Sequence, residues 1–74
     1  MFYVRSLVFG FVADTTRHRD GRLKIRYTQE TKTAKVYMTM TGARKIARLL
    51  GYGHVVITHE EALYEEKMHH AKTD

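Results

Sequence analysis

The sequence contains no cysteine, no proline and no tryptophan. Without cysteine, neither a disulfide nor a thiolate metal site can stabilise a small domain, and the absence fits a reducing compartment such as the cytoplasm. No run of about 18 apolar residues is present, so we expect no transmembrane helix. Seventy-four residues allow one domain with one small core, and 43% hydrophobic residues are enough for it to fold.

Charge is unevenly distributed along the chain. Residues 1–53 carry 11 Lys/Arg and 3 Asp/Glu, whereas residues 54–74 carry 2 Lys/Arg and 5 Asp/Glu. We therefore divide the chain into an α+β core, residues 1–58, and an acidic C-terminal helix or tail, residues 59–74. Such an asymmetry indicates charged partners. An active site needs several converging groups in a cleft, and a chain this short rarely builds one, so we expect no enzyme, no catalytic residue and no cofactor.

The hydrophobic pattern predicts three strands before the first helix. Residues 2–12 are apolar on both faces, which indicates a long strand that is buried on both sides or has one side available to a partner. Residues 14–22 read as a polar loop with a tight-turn signal at Asp20-Gly21. Residues 22–28 and 34–40 each alternate between apolar and polar side chains. In the second of these segments the alternation places the apolar side chains inward, at Val36, Met38 and Met40.

A helix with a basic outer face follows the third predicted strand. Thr41 is the predicted N-cap, because its hydroxyl can accept a hydrogen bond from a backbone N–H of the first turn. Gly51 is the residue that ends the helix. The inward stripe has the spacing i, i+3, i+4, i+7; it consists of Ala43, Ile46, Ala47 and Leu50.

The last part of the chain predicts one more strand and one more helix. Residues 54–58 are rich in β-branched side chains, and Thr58-x-x-Glu61 is a capping box that starts a helix near His59. That helix can fray towards Asp74. Overall we expect an α+β fold, with a small antiparallel sheet of three to four strands packed against one helix, followed by the C-terminal helix.

The first predicted strand is a candidate protein-binding edge. It is long and nearly uncharged, with Arg5 as its only charge, and an unguarded sheet edge can accept a strand from a partner. A central strand with no free edge is the alternative. The predicted edge residues are Tyr3, Val4, Arg5, Ser6 and Leu7.

A second candidate site is a basic surface that could hold phosphates or an acidic protein. One strand face carries three cations, the next strand adds a cation beside an aromatic ring that could stack a base, and the helix adds three more cations. Solvated surface charge is the alternative for each group. The predicted residues are Arg22, Lys24, Arg26, Lys35, Tyr37, Arg44, Lys45 and Arg48. We expect no metal site, since His69 and His70 follow Glu65 and Glu66 in a nonspecific pattern.

Part of the chain resembles a helix-turn-helix motif. Ala47 precedes the glycine Gly51 by four residues and Ile57 follows it by six, as in that family. This resemblance implies a DNA-binding module over residues 43–64. The sequence departs from the family in the second helix, which would contain the β-branched residues 55–58 and then two carboxylates. A nonspecific nucleic-acid binder that uses the basic sheet face is a further alternative.

As a small, basic, cysteine-free and proline-free domain with an acidic tail, the chain resembles the small phage-encoded regulators of bacterial RNA polymerase. The resemblance is in size and composition, and no motif carries it. It implies a non-enzymatic protein in the cytoplasm of a bacterial host that binds a host machine, most simply the polymerase, and inhibits or redirects transcription. Direct contact with nucleic acid is possible in that setting. The resemblance assigns a role to no individual residue.

Overall fold

The computed structural model describes residues 1–72, without the side chains of residues 69–72. Four antiparallel strands form one open sheet in the order β3-β2-β1-β4, so the chain has the expected α+β fold. In chain order the elements are β1 (Phe2–Ser6), β2 (Gly10–Arg17), β3 (Leu23–Thr28), a 3₁₀ turn (Thr31–Thr33), α1 (Met40–Leu50), β4 (His54–Thr58) and α2 (His59–Lys72).

The two helices cover opposite faces of the sheet. Successive strand residues point to opposite faces, so Val4 packs towards Ala43 of α1 and Tyr3 packs towards Ala62 of α2. Each of these four side chains is at most 2% exposed. Burial of β1 on both sides accounts for the apolar character of both its faces. The second helix is therefore also part of the core packing.

The first predicted strand is in fact a hairpin. β1 ends at Ser6 and β2 begins at Gly10, and the two residues pair across a three-residue turn. Gly10 has a φ of 98°, and a Cβ there would lie 2.7 Å from the carbonyl oxygen of Thr28. Only glycine suits both constraints. Residues 7–9 are apolar like the strand residues on either side, so the hydrophobic pattern did not indicate a turn there.

Strand β2 extends well beyond Val12, where the first predicted strand ended. β2 continues to Arg17, so the predicted loop over residues 14–22 is much shorter. The turn signal at Asp20-Gly21 is confirmed, because Gly21 N–H donates to the His18 carbonyl and Asp20 Oδ1 accepts from Arg22 N–H. The pairing of β2 with β3 shifts between Val12 and Asp14, which marks a bulge in the strand.

The predicted strand over residues 34–40 is wrong. Only Tyr37 pairs there, exchanging two hydrogen bonds of 2.8 Å with Phe2, while Lys35 N–H donates to the Val12 carbonyl. The segment thus hydrogen-bonds to both β1 and β2, beyond the point where these two strands stop pairing with each other. Its faces are the reverse of the prediction: Tyr37 packs on the α1 side, whereas Val36 and Met38 are 40% and 76% exposed.

Helix α1 begins one residue after Thr39, which is the N-cap instead of Thr41. Thr39 has an extended backbone, and its hydroxyl oxygen accepts from Gly42 N–H at 3.1 Å. Gly51 ends the helix with a φ of 90°, as expected. The predicted apolar stripe of α1 packs on the cluster around Val4 and Val12 and is confirmed.

Helix α2 begins with the predicted capping box. Glu61 N–H donates to the hydroxyl oxygen of Thr58, and Thr58 N–H donates back to Glu61 Oε1. The helix is described as far as Lys72, and the predicted fraying near Asp74 concerns positions outside the described residues. No helix within residues 1–72 is long and apolar enough to cross a membrane.

Candidate binding surfaces

The outer face of α1 carries three exposed cations, Arg44, Lys45 and Arg48. The inward stripe of α1 turns these side chains away from the sheet. Among the residues that the structure describes, none of the three forms an ion pair. Together with Thr41 they line a shallow depression of 350 Å³. Arg44 and Arg48 are one turn apart and repel each other, so an anion placed between them would lower the energy of this face.

A second group of cations lies on the β2–β3 hairpin. Lys24 and Arg26 are exposed and line a depression with Asp14, Thr16 and His18. Asp14 pairs directly opposite Arg26 in the sheet. Because a carboxylate lies inside this group, its attraction for anions is weaker than that of the α1 face.

The structure does not bring the predicted basic residues into one surface. Lys24 and Arg26 alternate with Ile25, which packs on the α1 side, so they point to the opposite face from Arg44 and its neighbours. Arg22 is already paired with Asp20, 3.2 Å between Nε and Oδ2. The basic surface that the sequence predicted is therefore divided into two separate groups of cations.

Tyr37 is not the exposed stacking ring that the sequence suggested. Its ring packs on the α1 side, and Lys35 Nζ lies 5.7 Å from the ring centroid. The hydroxyl oxygen is buried and has no hydrogen-bond partner among the described residues. Burial, and secondly the charge of Asp14, raise the pKa of Tyr37 above its usual value. The ring is therefore half-buried against the fold and is not displayed on an open strand face.

The predicted edge interface on the first strand is wrong, because β1 lies between β2 and β4. Tyr3, Val4 and Ser6 are at most 4% exposed, and both backbone sides of β1 have neighbours. Arg5 is half-buried, with its Nε 2.6 Å from Glu65 Oε2. Leu7 is exposed, but it belongs to the turn and not to the strand.

The helix-turn-helix interpretation is also contradicted. Residues 54–58, which would form the recognition helix, are strand β4, paired along its length with β1. The two helices that flank β4 lie on opposite faces of the sheet. Within residues 1–72, no second helix is therefore placed to follow α1 into a major groove.

Three of the four carboxylates in the described part of α2 hold the fold together. Glu61 belongs to the capping box, and Glu65 pairs with Arg5 without a well-aligned hydrogen bond at Oε2. Glu66 accepts from the backbone N–H of Thr31 at 2.6 Å and from its hydroxyl at 3.3 Å. These carboxylates therefore have structural partners within the molecule, and only Glu60 among the four is without one in the described part of the chain.

An apolar turn is the surface feature that sequence reasoning missed. Leu7, Val8 and Phe9, here named the apolar tip, are 59%, 78% and 60% exposed. Ser6 Oγ accepts from the N–H groups of Val8 and Phe9, at 3.1 and 3.0 Å. The glycine at position 10 was the one sequence signal for a turn, and it stood inside an apolar run.

Further contacts hold the apolar tip in place. Leu7 N–H donates to the Gly53 carbonyl, and the Gln29 side-chain amide donates to the Phe9 carbonyl. The Phe9 ring lies 5.2 Å from that of Tyr27. The Tyr27 hydroxyl is hydrogen-bonded to His54 Nε2 at 2.8 Å across the sheet. The apolar tip is therefore a preorganised projection.

No cluster of three or more potential metal ligands is found among the described residues; the side chains of His69 and His70 lie outside them. Comparison with known proteins identifies no relative, since no family model, no curated protein and no solved structure matches the chain. The binding surfaces must therefore be interpreted from the chemistry of their own residues.

Proposed function

We propose that the chain is a small non-enzymatic regulator that binds a large host machine by protein–protein contact, with bacterial RNA polymerase as the partner to test first. The apolar tip is the observation that carries the proposal. Three adjacent large apolar side chains are displayed to solvent on a turn whose N–H groups donate to Ser6 Oγ and whose Phe9 carbonyl accepts from Gln29. Protein interfaces depend on such anchors entering a pocket of the partner, whereas phosphate backbones offer them nothing. The choice of polymerase rests on the resemblance in size and composition.

The outer face of α1 supports a secondary contact in the same complex. Its three cations are exposed and have no ion pair within the described residues. On a transcription machine they would face acidic protein surface or bound nucleic acid, which would raise the association rate more than the final affinity.

The test is binding to purified RNA polymerase, followed by transcription from a promoter template. We expect the wild-type chain to bind and to change transcript yield. The double variant Val8→Ser, Phe9→Ser should lose binding by about tenfold or more, because fully burying an apolar side chain of this size is worth about 1.5–3 kcal/mol. Met38→Ser is the matched control, since Met38 is 76% exposed on another part of the chain. Absence of binding by the wild-type chain would exclude the polymerase as partner.

Direct nucleic-acid binding is the second candidate, and the α1 cations favour it. It predicts an affinity whose logarithm falls steeply with the logarithm of salt concentration. The triple variant Arg44→Gln, Lys45→Gln, Arg48→Gln should then abolish a mobility shift that the Val8→Ser, Phe9→Ser variant leaves intact. Nuclease treatment during polymerase capture separates the two functions, because only a nucleic-acid bridge is sensitive to it.

A further inference from the structure

Strand β4 forms an outer edge of the sheet and is hydrogen-bonded along one side only, to β1. Leu7 N–H donates to the Gly53 carbonyl, and His59 N–H donates to the Met1 carbonyl. In an antiparallel ladder the hydrogen-bonding direction alternates along the strand. The odd-numbered residues of β4 therefore face β1, and the even-numbered ones direct their backbone groups outwards.

Two residues of β4 have backbone groups available to a partner. Thr58 N–H is occupied by Glu61 Oε1, at 3.3 Å, so it is not available. His54 and Val56 remain, and within the described residues their N–H and C=O groups have no partner on the outer side. These two donors and two acceptors match the backbone of one more extended strand.

The edge at β4 also lacks the features that normally prevent pairing with another chain. The strand, with the sequence HVVIT, contains no Lys, Arg, Asp, Glu or Pro. The opposite edge, β3, carries Lys24 and Arg26. Charged side chains and proline are the usual protection of an edge strand. Only one of the two edges is protected.

We propose that β4 pairs antiparallel with β4 of a second copy, around a two-fold axis at Val55. In this register His54 lies opposite Val56 of the second copy, and Val56 lies opposite His54 of the second copy. All available groups of both strands are then used, in four hydrogen bonds. Val55 lies opposite Val55 of the second copy as a non-hydrogen-bonded pair, with the two Cα atoms about 4.5 Å apart.

Register and side chains favour a second copy over an unrelated strand. The available groups of His54 and Val56 are symmetric about Val55, so an identical strand satisfies all of them. Val55 is 38% exposed, and β-branched residues stabilise each other when they lie directly opposite across strands.

The dimer would have a defined arrangement of its helices. The two-fold axis of an antiparallel strand pair is perpendicular to the sheet, so both copies of α1 lie on the same face. The outer cations Arg44, Lys45 and Arg48 of both copies then lie on the same face of the dimer. Self-association does not depend on the identity of any other partner, so this inference stands apart from the proposed function.

Cysteine cross-linking tests the register directly, because the chain contains no cysteine of its own. In Val55→Cys the paired positions fall within the Cα separation that a disulfide requires. We expect this variant to form a cross-linked dimer at least about tenfold faster than Val36→Cys. Val36 is a matched control, since it is 40% exposed and lies outside β4. Equal rates for the two variants would overturn the proposed register.

Sedimentation equilibrium over micromolar to millimolar concentrations tests the association itself. The wild-type chain should reach dimer mass, and Val55→Lys should raise the dissociation constant about tenfold or more, because it places like charges opposite each other. Val36→Lys should leave it unchanged. Circular dichroism would verify that both variants fold. A wild-type chain that remains monomeric at every concentration, or a Val55→Lys variant that dimerises normally, would refute the proposal.

Discussion

Helices α1 and α2 lie over opposite faces of the same sheet, but different chemistry holds them there. α1 packs through an apolar stripe and displays its charges to solvent. Among its described side chains, residues 59–68, α2 places only Ala62 in the buried core, and its further contacts include carboxylates bound to Arg5 and Thr31. The charges of α1 are therefore available to a partner, whereas those of α2 are largely used within the fold. The charged residues of a helix can be assigned to a binding surface only after the ion pairs and hydrogen bonds that they form within the fold are known.

The largest expected effect is on the apolar contact of α1. Ile46→Ala should lower the free energy of unfolding by about 2 kcal/mol, because it removes buried methyl groups and leaves a cavity. Urea unfolding at low and high salt should give the same loss. Leu49→Ala is the control on the same helix, since Leu49 is 53% exposed and its truncation should cost under about 0.5 kcal/mol. Equal losses in the two variants would show that the stripe does not anchor α1.

The corresponding change on α2 is Glu66→Ala. Thr31 is 8% exposed, and its N–H and hydroxyl would lose their acceptor, at a cost of about 1.5 kcal/mol. Glu60→Ala serves as the control, because that exposed carboxylate has no hydrogen bond or ion pair in the described structure. Chemical denaturation would measure both. Equal stability of the two variants would contradict an internal role for Glu66.

A smaller effect tests where α1 begins. Thr39→Ala removes the N-cap hydroxyl and should lower the free energy of unfolding by about 1 kcal/mol. Thr41→Ala, at the position that the sequence favoured, should be nearly neutral. Thermal unfolding of the two variants is sufficient, and a larger loss at Thr41 would move the helix start back to the sequence prediction.

The smallest effect concerns two tyrosines that pack on the α1 side. Burial raises the pKa of Tyr27 and, with a further contribution from Asp14, that of Tyr37. An unfolded tyrosine ionises near pH 10, so above about pH 10 the folded state holds more protons. The contribution of the two protonated tyrosines to stability is complete below that pH. It is lost as the pH rises through their raised pKa values in the folded state.

Tyr37→Phe should therefore reduce the loss of stability at alkaline pH. At neutral pH it should raise the free energy of unfolding by about 0.5 kcal/mol, because it removes a buried hydroxyl with no partner within the described residues. Urea unfolding at neutral pH and above pH 10 would measure both effects. A destabilised variant at neutral pH would show that the hydroxyl is hydrogen-bonded after all.

Sequence patterns predicted the elements whose signals are local. The capping box at Thr58, the alternation over residues 22–28 and the apolar stripe of α1 all have counterparts in the structure. They succeeded because helix caps and amphipathic periods depend on neighbouring residues.

The choice of Thr41 instead of Thr39 as the N-cap was a local failure, but the larger failures depend on contacts between distant residues. The turn at Leu7 is formed by Ser6 and Gln29 around Gly10, and no residue within the turn marks it. Residues 34–40 alternate like a strand, but their hydrogen bonds to strands of the sheet are made by Lys35, to Val12, and by Tyr37, to Phe2. The roles of Glu65 and Glu66 were likewise invisible, since Arg5 and Thr31 are far away in sequence.

The central position of β1 has a consequence for the order of folding. Its β2 neighbour follows after a short turn, but its β4 neighbour begins only at His54, after β2, β3 and α1. Closing so long a loop costs entropy before any contact repays it, and proteins dominated by such pairings fold slowly. On a ribosome the β1–β2 hairpin would emerge with both apolar faces uncovered. Until β4 and the two helices arrive, that hairpin is the part of the nascent chain that most needs protection from aggregation.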